Sequence, residues 1–169
     1  MRYDIDPERS QVWISARSNV HPIHSETRGM TGFVDVEVSC AGRLDMRVPP
    51  QARLELPVDR LSSGNPLNDR EMRRRIDARR FPTITGELLS MKEAGRPAAY
   101  LAEGDITFRG MTQRFADELT VAVAPDGTLV FEGEHVFDIR DFGMDPPRVL
   151  VLKVYPDVTV RVRVVAEAR

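Results

Sequence analysis

His21, His24 and His135 are the three imidazoles of the chain, and they are the side chains best suited to hold a metal or a haem. His21-Pro22-Ile23-His24 sets two of them three positions apart. On a straight strand such positions face opposite ways, but a turn at Pro22 would let both rings converge. With His135 they would offer nitrogen ligands to zinc, or one axial ligand to haem iron. No carboxylate or cysteine stands at a recognised spacing to complete such a site. A surface turn at 21–24 is the competing reading.

His135 carries a second reading from its neighbours. Phe131, Gly133, His135, Phe137 and Ile139 share one parity. Val130, Glu132, Glu134, Val136, Asp138 and Arg140 share the other, which is mostly charged and faces water. His135 is therefore expected to point inward. An interior imidazole needs a hydrogen-bond partner. That partner is either backbone or a neighbouring side chain, or the polar end of a bound molecule.

Arginines crowd one segment: Arg70, Arg73, Arg74, Arg75, Arg79 and Arg80, offset by Asp69, Glu71 and Asp77. A solvated helix face accounts for such a run. The alternative is a basic lip, centred on Arg73, Arg74 and Arg75, that grips a phosphate head group or an anionic membrane surface, since guanidinium suits phosphate. No nucleophile elbow, phosphate-binding glycine loop or metalloprotease helix occurs. Arg140-Asp141-Phe142-Gly143 contains the kinase Asp-Phe-Gly letters without the other kinase signals. Asp105 and Asp141 are expected to pair with arginines or turn amides rather than to act as acid and base.

The elements that must position these residues read mainly as strands. Val12, Ile14 and Ala16 alternate with Trp13, Ser15 and Arg17; Val34, Val36 and Val38 form a second row, and Ala52, Leu54, Leu56 and Val58 a third. Tyr100, Ala102, Ile106 and Phe108 share a face, as do Phe115, Leu119, Val121 and Val123. Val158, Val160, Val162 and Val164 alternate with Thr159, Arg161 and Arg163. Such period-two rows mark half-buried strands. Pro125-Asp126-Gly127 and Gly95-Arg96-Pro97 supply tight-turn chemistry between rows. The resulting antiparallel meander of about eight strands is best closed as a barrel, which removes exposed edges. One segment lacks alternation. Leu67, Met72 and Ile76 recur at helical spacing behind Asn65 or Asn68 as caps, which predicts one helix over about 66–79, lying across a barrel opening.

With 169 residues and no linker or repeat, a single domain over 1–169 is expected. Lys+Arg 24 against Asp+Glu 26 gives no reason to expect nucleic acid. The lone Cys40 excludes an internal disulfide, and with no apolar leader at the N-terminus a cytoplasmic location is expected.

Three signals in order resemble the YceI-like family: Phe81-Pro82-Thr83-Ile84, then Gly104 to Thr112, then Arg140-Asp141-Phe142-Gly143. Tyr3, Ile5-Asp6-Pro7 and Ser10-Gln11-Val12 resemble that family's opening strand. Val58-Asp59, Ser62-Ser63-Gly64-Asn65, Asp69 and Met72 resemble its strand-to-helix passage. The chain departs from the family's pattern at Gly86, where an aromatic is usual, at Ser18, where a histidine is frequent, and in the long apolar stretch from Pro146 to Pro156. The resemblance implies an all-β fold, an antiparallel eight-stranded lipocalin-like barrel with one short helix near a barrel opening.

It also implies binding, storage or transport of a long-chain apolar ligand, an isoprenoid or fatty-acyl lipid, without catalysis and without a cofactor. The alternative is the haem- or zinc-binding protein built on His21, His24 and His135. Taken with the inward rows, the resemblance assigns a ligand tunnel to Val12, Ile14, Leu54, Leu56, Ile106, Phe108, Phe131, His135, Phe137, Ile139, Val160 and Val162. Periodicity alone fits equally well a barrel filled by these side chains. Transient contact with a membrane surface and a homodimer are left open.

Overall fold

The computed structural model describes residues 1–146, 148–149 and 151–169; Pro147 and Leu150, within the apolar stretch noted above, lie outside the described residues. The strands are β1 (Arg2–Ile5), β2 (Gln11–Ser18), β3 (Ile23–Thr27), β4 (Thr31–Asp35), β5 (Gln51–Pro57), β6 (Thr83–Glu93), β7 (Ala99–Phe108), β8 (Met111–Val123), β9 (Leu129–Asp138), β10 (Arg148–Val149) and β11 (Leu152–Ala168). The helix α1 is Pro66–Ile76.

Every strand pairing is antiparallel. The order β1-β4-β5-β6-β7-β8-β9-β11 closes on itself through β1–β11, where Tyr3 faces Ala168. This is the eight-stranded barrel. The β2–β3 hairpin is added on the same edge of β11, below β1, with Val162 opposite Val12. A strand of 17 residues is long enough to serve both neighbours, β1 near its end and β2 before it. The valine row of β11 faces the interior, as alternation requires. Val165 breaks the rule, being fully buried on the opposite parity. The turn between β1 and β2 covers it: Ser10 Oγ donates to the Val165 carbonyl and accepts from its N–H.

The β7–β8 hairpin closes with Phe108 opposite Met111, leaving a two-residue loop in which Arg109 and Gly110 both adopt positive φ, 52° and 71°. That is the primed turn whose twist suits a hairpin. A Cβ on Gly110 would sit 2.9 Å from the Phe81 ring, so this loop packs on the exit from α1.

Asn65 caps α1, its side chain accepting from the N–H groups of Leu67 and Asn68, and Pro66 follows at the first helical position. The helix stops at Ile76, three residues before the expected end at 79. Asp77 takes a left-handed conformation and its N–H returns to Arg73 and Arg74, which ends the helix before Pro82 is reached. Met72 and Ile76 turn inward as expected, whereas Leu67 is exposed. No helix among the described residues is long and apolar enough to cross a membrane.

Candidate functional site

The barrel interior holds a cavity of about 540 Å³. One end is filled by Tyr3, Val36, Leu44, Tyr100, Val121 and Leu129, all buried in one cluster. The other end lies beneath α1, where Leu61, Met72 and Ile76 line the wall. Between these ends the twelve residues assigned to a tunnel in the sequence, Val12 to Val162, all lie on the cavity wall. The side chains therefore do not fill the barrel. Along β11 the lining runs from Leu152 and Val154 to Val164; its regular valine row, from Val158 to Val164, alone spans about 15 Å of barrel axis at ordinary strand rise and tilt. Ile84, Met91 and Ala102 complete the lining on β6 and β7.

Two glycines thin the wall. Gly86 pairs with Leu54 and Ile106, and a Cβ there would meet Leu54 at 3.1 Å. Gly104 lets β6 and β7 approach: its Cβ would lie 2.7 Å from the Glu87 carbonyl.

The wall opens between β8 and β9. Their ladder runs from Val123↔Leu129 to Leu119↔Gly133 and stops. Both strands continue beyond it, β8 back to Met111 and β9 on to Asp138, each held by its other neighbour. Side chains occupy the gap. Phe115 and Phe137 meet edge to face at 4.8 Å, and the His135 ring lies 5.1 Å and 4.5 Å from them. The lower end is fastened by the turn Ile139–Phe142. There Gln113 Nε2 donates to the Asp141 carbonyl at 2.8 Å and Arg109 donates to the Phe142 carbonyl at 3.1 Å.

His135 points inward as expected and finds its partner in Asp117, whose Oδ2 is hydrogen-bonded to Nδ1. The sequence reading passed over Asp117. Its signal was available: a carboxylate on the same parity as Phe115 and Leu119.

The structure does not bring the three imidazoles together. His24 projects from β3 beside Ser15, with Nδ1 3.0 Å from Oγ, and His21 sits in the preceding turn, its Nδ1 3.0 Å from the Pro22 carbonyl oxygen. This corrects the convergence on which the zinc or haem alternative was built; Pro22 turns the chain without aiming either ring at His135. Among the described residues no group of three or more His, Cys, Asp or Glu side chains is placed to hold a metal ion.

At the α1 mouth, Glu71 accepts from Arg74 at 2.9 Å and from Arg75 at 2.7 Å. Those two bonds hold its carboxyl down to about 2. Arg74 and Arg75 are thus engaged within the helix, and the Arg73 guanidinium lies 3.5 Å from the Asp59 carbonyl. Asp105 pairs with Arg114 at 3.0 Å, as expected.

An antiparallel barrel closed over an apolar cavity defines a lipocalin-like architecture. A family model for the YceI-like domain matches residues 3–166. The chain belongs to the YceI-like family. Among solved structures it is similar to BcnA from Burkholderia cenocepacia (TM-score 0.78, 17% identity, 95% of this chain and 98% of that one). It is also similar to a polyisoprenoid binding domain from Saccharophagus degradans implicated in plant cell wall breakdown (TM-score 0.77, 13% identity, 99% and 98% coverage). A third is the Campylobacter jejuni YCEI protein (TM-score 0.65, 13% identity, 86% and 84% coverage). At these identities the likeness is one of fold. A search of the curated proteins finds no match.

Proposed function

We propose that this barrel binds one long apolar molecule, an isoprenoid or fatty-acyl chain, and holds or carries it without catalysing a reaction. The observation that supports this most is the open interior: a cavity of about 540 Å³ walled almost wholly by aliphatic and aromatic side chains. That volume lies within the ordinary range of small-molecule sites. Each methylene taken from water into such a wall contributes about 0.8 kcal/mol, so a chain of ten carbons gains several kcal/mol before the cost of association is subtracted. The Saccharophagus degradans relative is described as binding polyisoprenoid, which favours the isoprenoid among long chains.

Titration with the apolar fluorophore N-phenyl-1-naphthylamine, followed by displacement with geranylgeraniol, tests this reading. The expected result is enhanced fluorescence that saturates at one probe per chain and is reversed by the isoprenoid. No uptake of either molecule would contradict it.

A further inference from the structure

The gap between β8 and β9 is lined by polar groups of one kind. A carboxylate only accepts hydrogen bonds, so in the contact between Asp117 and His135 the donor is Nδ1–H. In the neutral imidazole that leaves Nε2 as an acceptor, and Nε2 makes no hydrogen bond to another described residue. The Asp117 carboxylate retains lone pairs beyond the bond its Oδ1 accepts from the Glu118 N–H.

The flanks of the gap add no basic group among the described residues. Glu118, Glu132 and Glu134 border it on the outward-facing parity of the two strands, and among the described residues no lysine or arginine of β8 or β9 lines the cavity. The guanidinium groups around the gap are engaged on the outer surface: Arg114 pairs with Asp105, Arg96 pairs with Glu118, Arg163 lies 3.5 Å from Glu132, and Arg161, opposite Glu134 in the ladder, stacks over Trp13. The gap thus offers acceptors and negative charge beside two aromatic edges, at a break in an otherwise apolar wall.

We infer that the polar end of the bound chain sits in this gap, against His135 and Asp117, and that it is a hydrogen-bond donor without negative charge: a hydroxyl, primary amide or amine. This inference rests on the reading of the barrel as a lipid binder. A hydroxyl supplies the donor that Nε2 and the carboxylate can accept. A carboxylate or phosphate head brings no donor and sets two anions side by side, which disfavours the charged form of each. A methyl ether keeps the size of the alcohol but lacks the donor, so it covers these acceptors without pairing them. Phe115 and Phe137 are placed to hold the carbons that follow the head.

The test uses four probes on one C18 chain: oleyl alcohol, oleamide, oleyl methyl ether and oleate, each displacing N-phenyl-1-naphthylamine at pH 7.5. The alcohol and the amide are expected to bind about tenfold tighter than the ether and the oleate, the size of one net hydrogen bond. His135→Phe should bring the alcohol-to-ether ratio to about one. Asp117→Asn, which introduces an amide donor at nearly constant volume, should move the ranking toward oleate and serves if His135→Phe does not fold. Oleate binding as tightly as the alcohol to the unmodified protein, or an unchanged alcohol-to-ether ratio in either variant, would overturn the inference. If all four probes failed to bind, the binding reading itself would fall, and this inference with it.

Discussion

Gly86 stands on the cavity wall between Leu54 and Ile106, at the place where the YceI-like pattern usually carries an aromatic. The absent side chain is part of what keeps the interior open. Gly86→Phe is expected to put a ring into the cavity and to lower affinity for geranylgeraniol at least tenfold while the barrel still folds, since strands tolerate aromatics. Displacement titration beside a far-UV spectrum checks both halves. Gly110 is required for a different reason. At φ 71° an alanine costs about 1–2 kcal/mol in backbone strain, and its Cβ would press on Phe81 at 2.9 Å. Gly110→Ala should lower stability in urea by about that amount or more without changing the selectivity for ligand heads. Asp117 and His135 form a polar pair on the wall at the break between β8 and β9, where the rest of the lining is aromatic.

The helix is the element that covers the mouth, and a buried carboxylate ties it down. Asp69 accepts from the Ser63 N–H at 2.8 Å, from Ser63 Oγ at 2.6 Å and from Ser62 Oγ at 3.3 Å. Burial pushes its carboxyl up, but these bonds and the charge of Arg73 outweigh it and hold the group below its usual value of 3.8. A carboxyl lowered in the folded state stabilises above its unfolded value, and that contribution is lost as pH falls through the folded value. Asp69→Ala should therefore cost about 1–3 kcal/mol at neutral pH by orphaning the serine donors. The difference from the unmodified protein should shrink below pH 4, read by urea melts across the pH series.

Strand rows such as Val158 to Val164 and the Asn65 cap were legible because period and capping are local. The interruptions were not. The bulge at Leu88/Ser90 shifts the inward parity of β6 from Ile84, Gly86 and Leu88 to Met91, and a bulge has no residue signature of its own. The end of α1 depends on the left-handed turn at Asp77, a residue that carries no stop signal like that of glycine. The separation of β8 from β9 reflects how each strand follows its other neighbour, so no local pattern announces it. The turn at Pro22 was foreseen, but the positions of the rings around it depend on which strands become neighbours.

At the scale of the whole molecule, the barrel combines a filled end and an empty one. Packing around Tyr3, Tyr100 and Leu129 supplies a close-packed core at one end, and closure through Tyr3 and Ala168 leaves no free edge on the ring of eight strands. The remaining interior is then free to be apolar and unfilled. Such a space is stable when dry and gains when a chain enters it. The measurement that bears most directly on this is native mass spectrometry of the purified protein after incubation with a total bacterial lipid extract, with the retained mass identified by organic extraction. The account predicts one long-chain apolar molecule per protein, lost in Gly86→Phe. A spectrum showing only the unliganded chain mass, in both the unmodified protein and the variant, would contradict it.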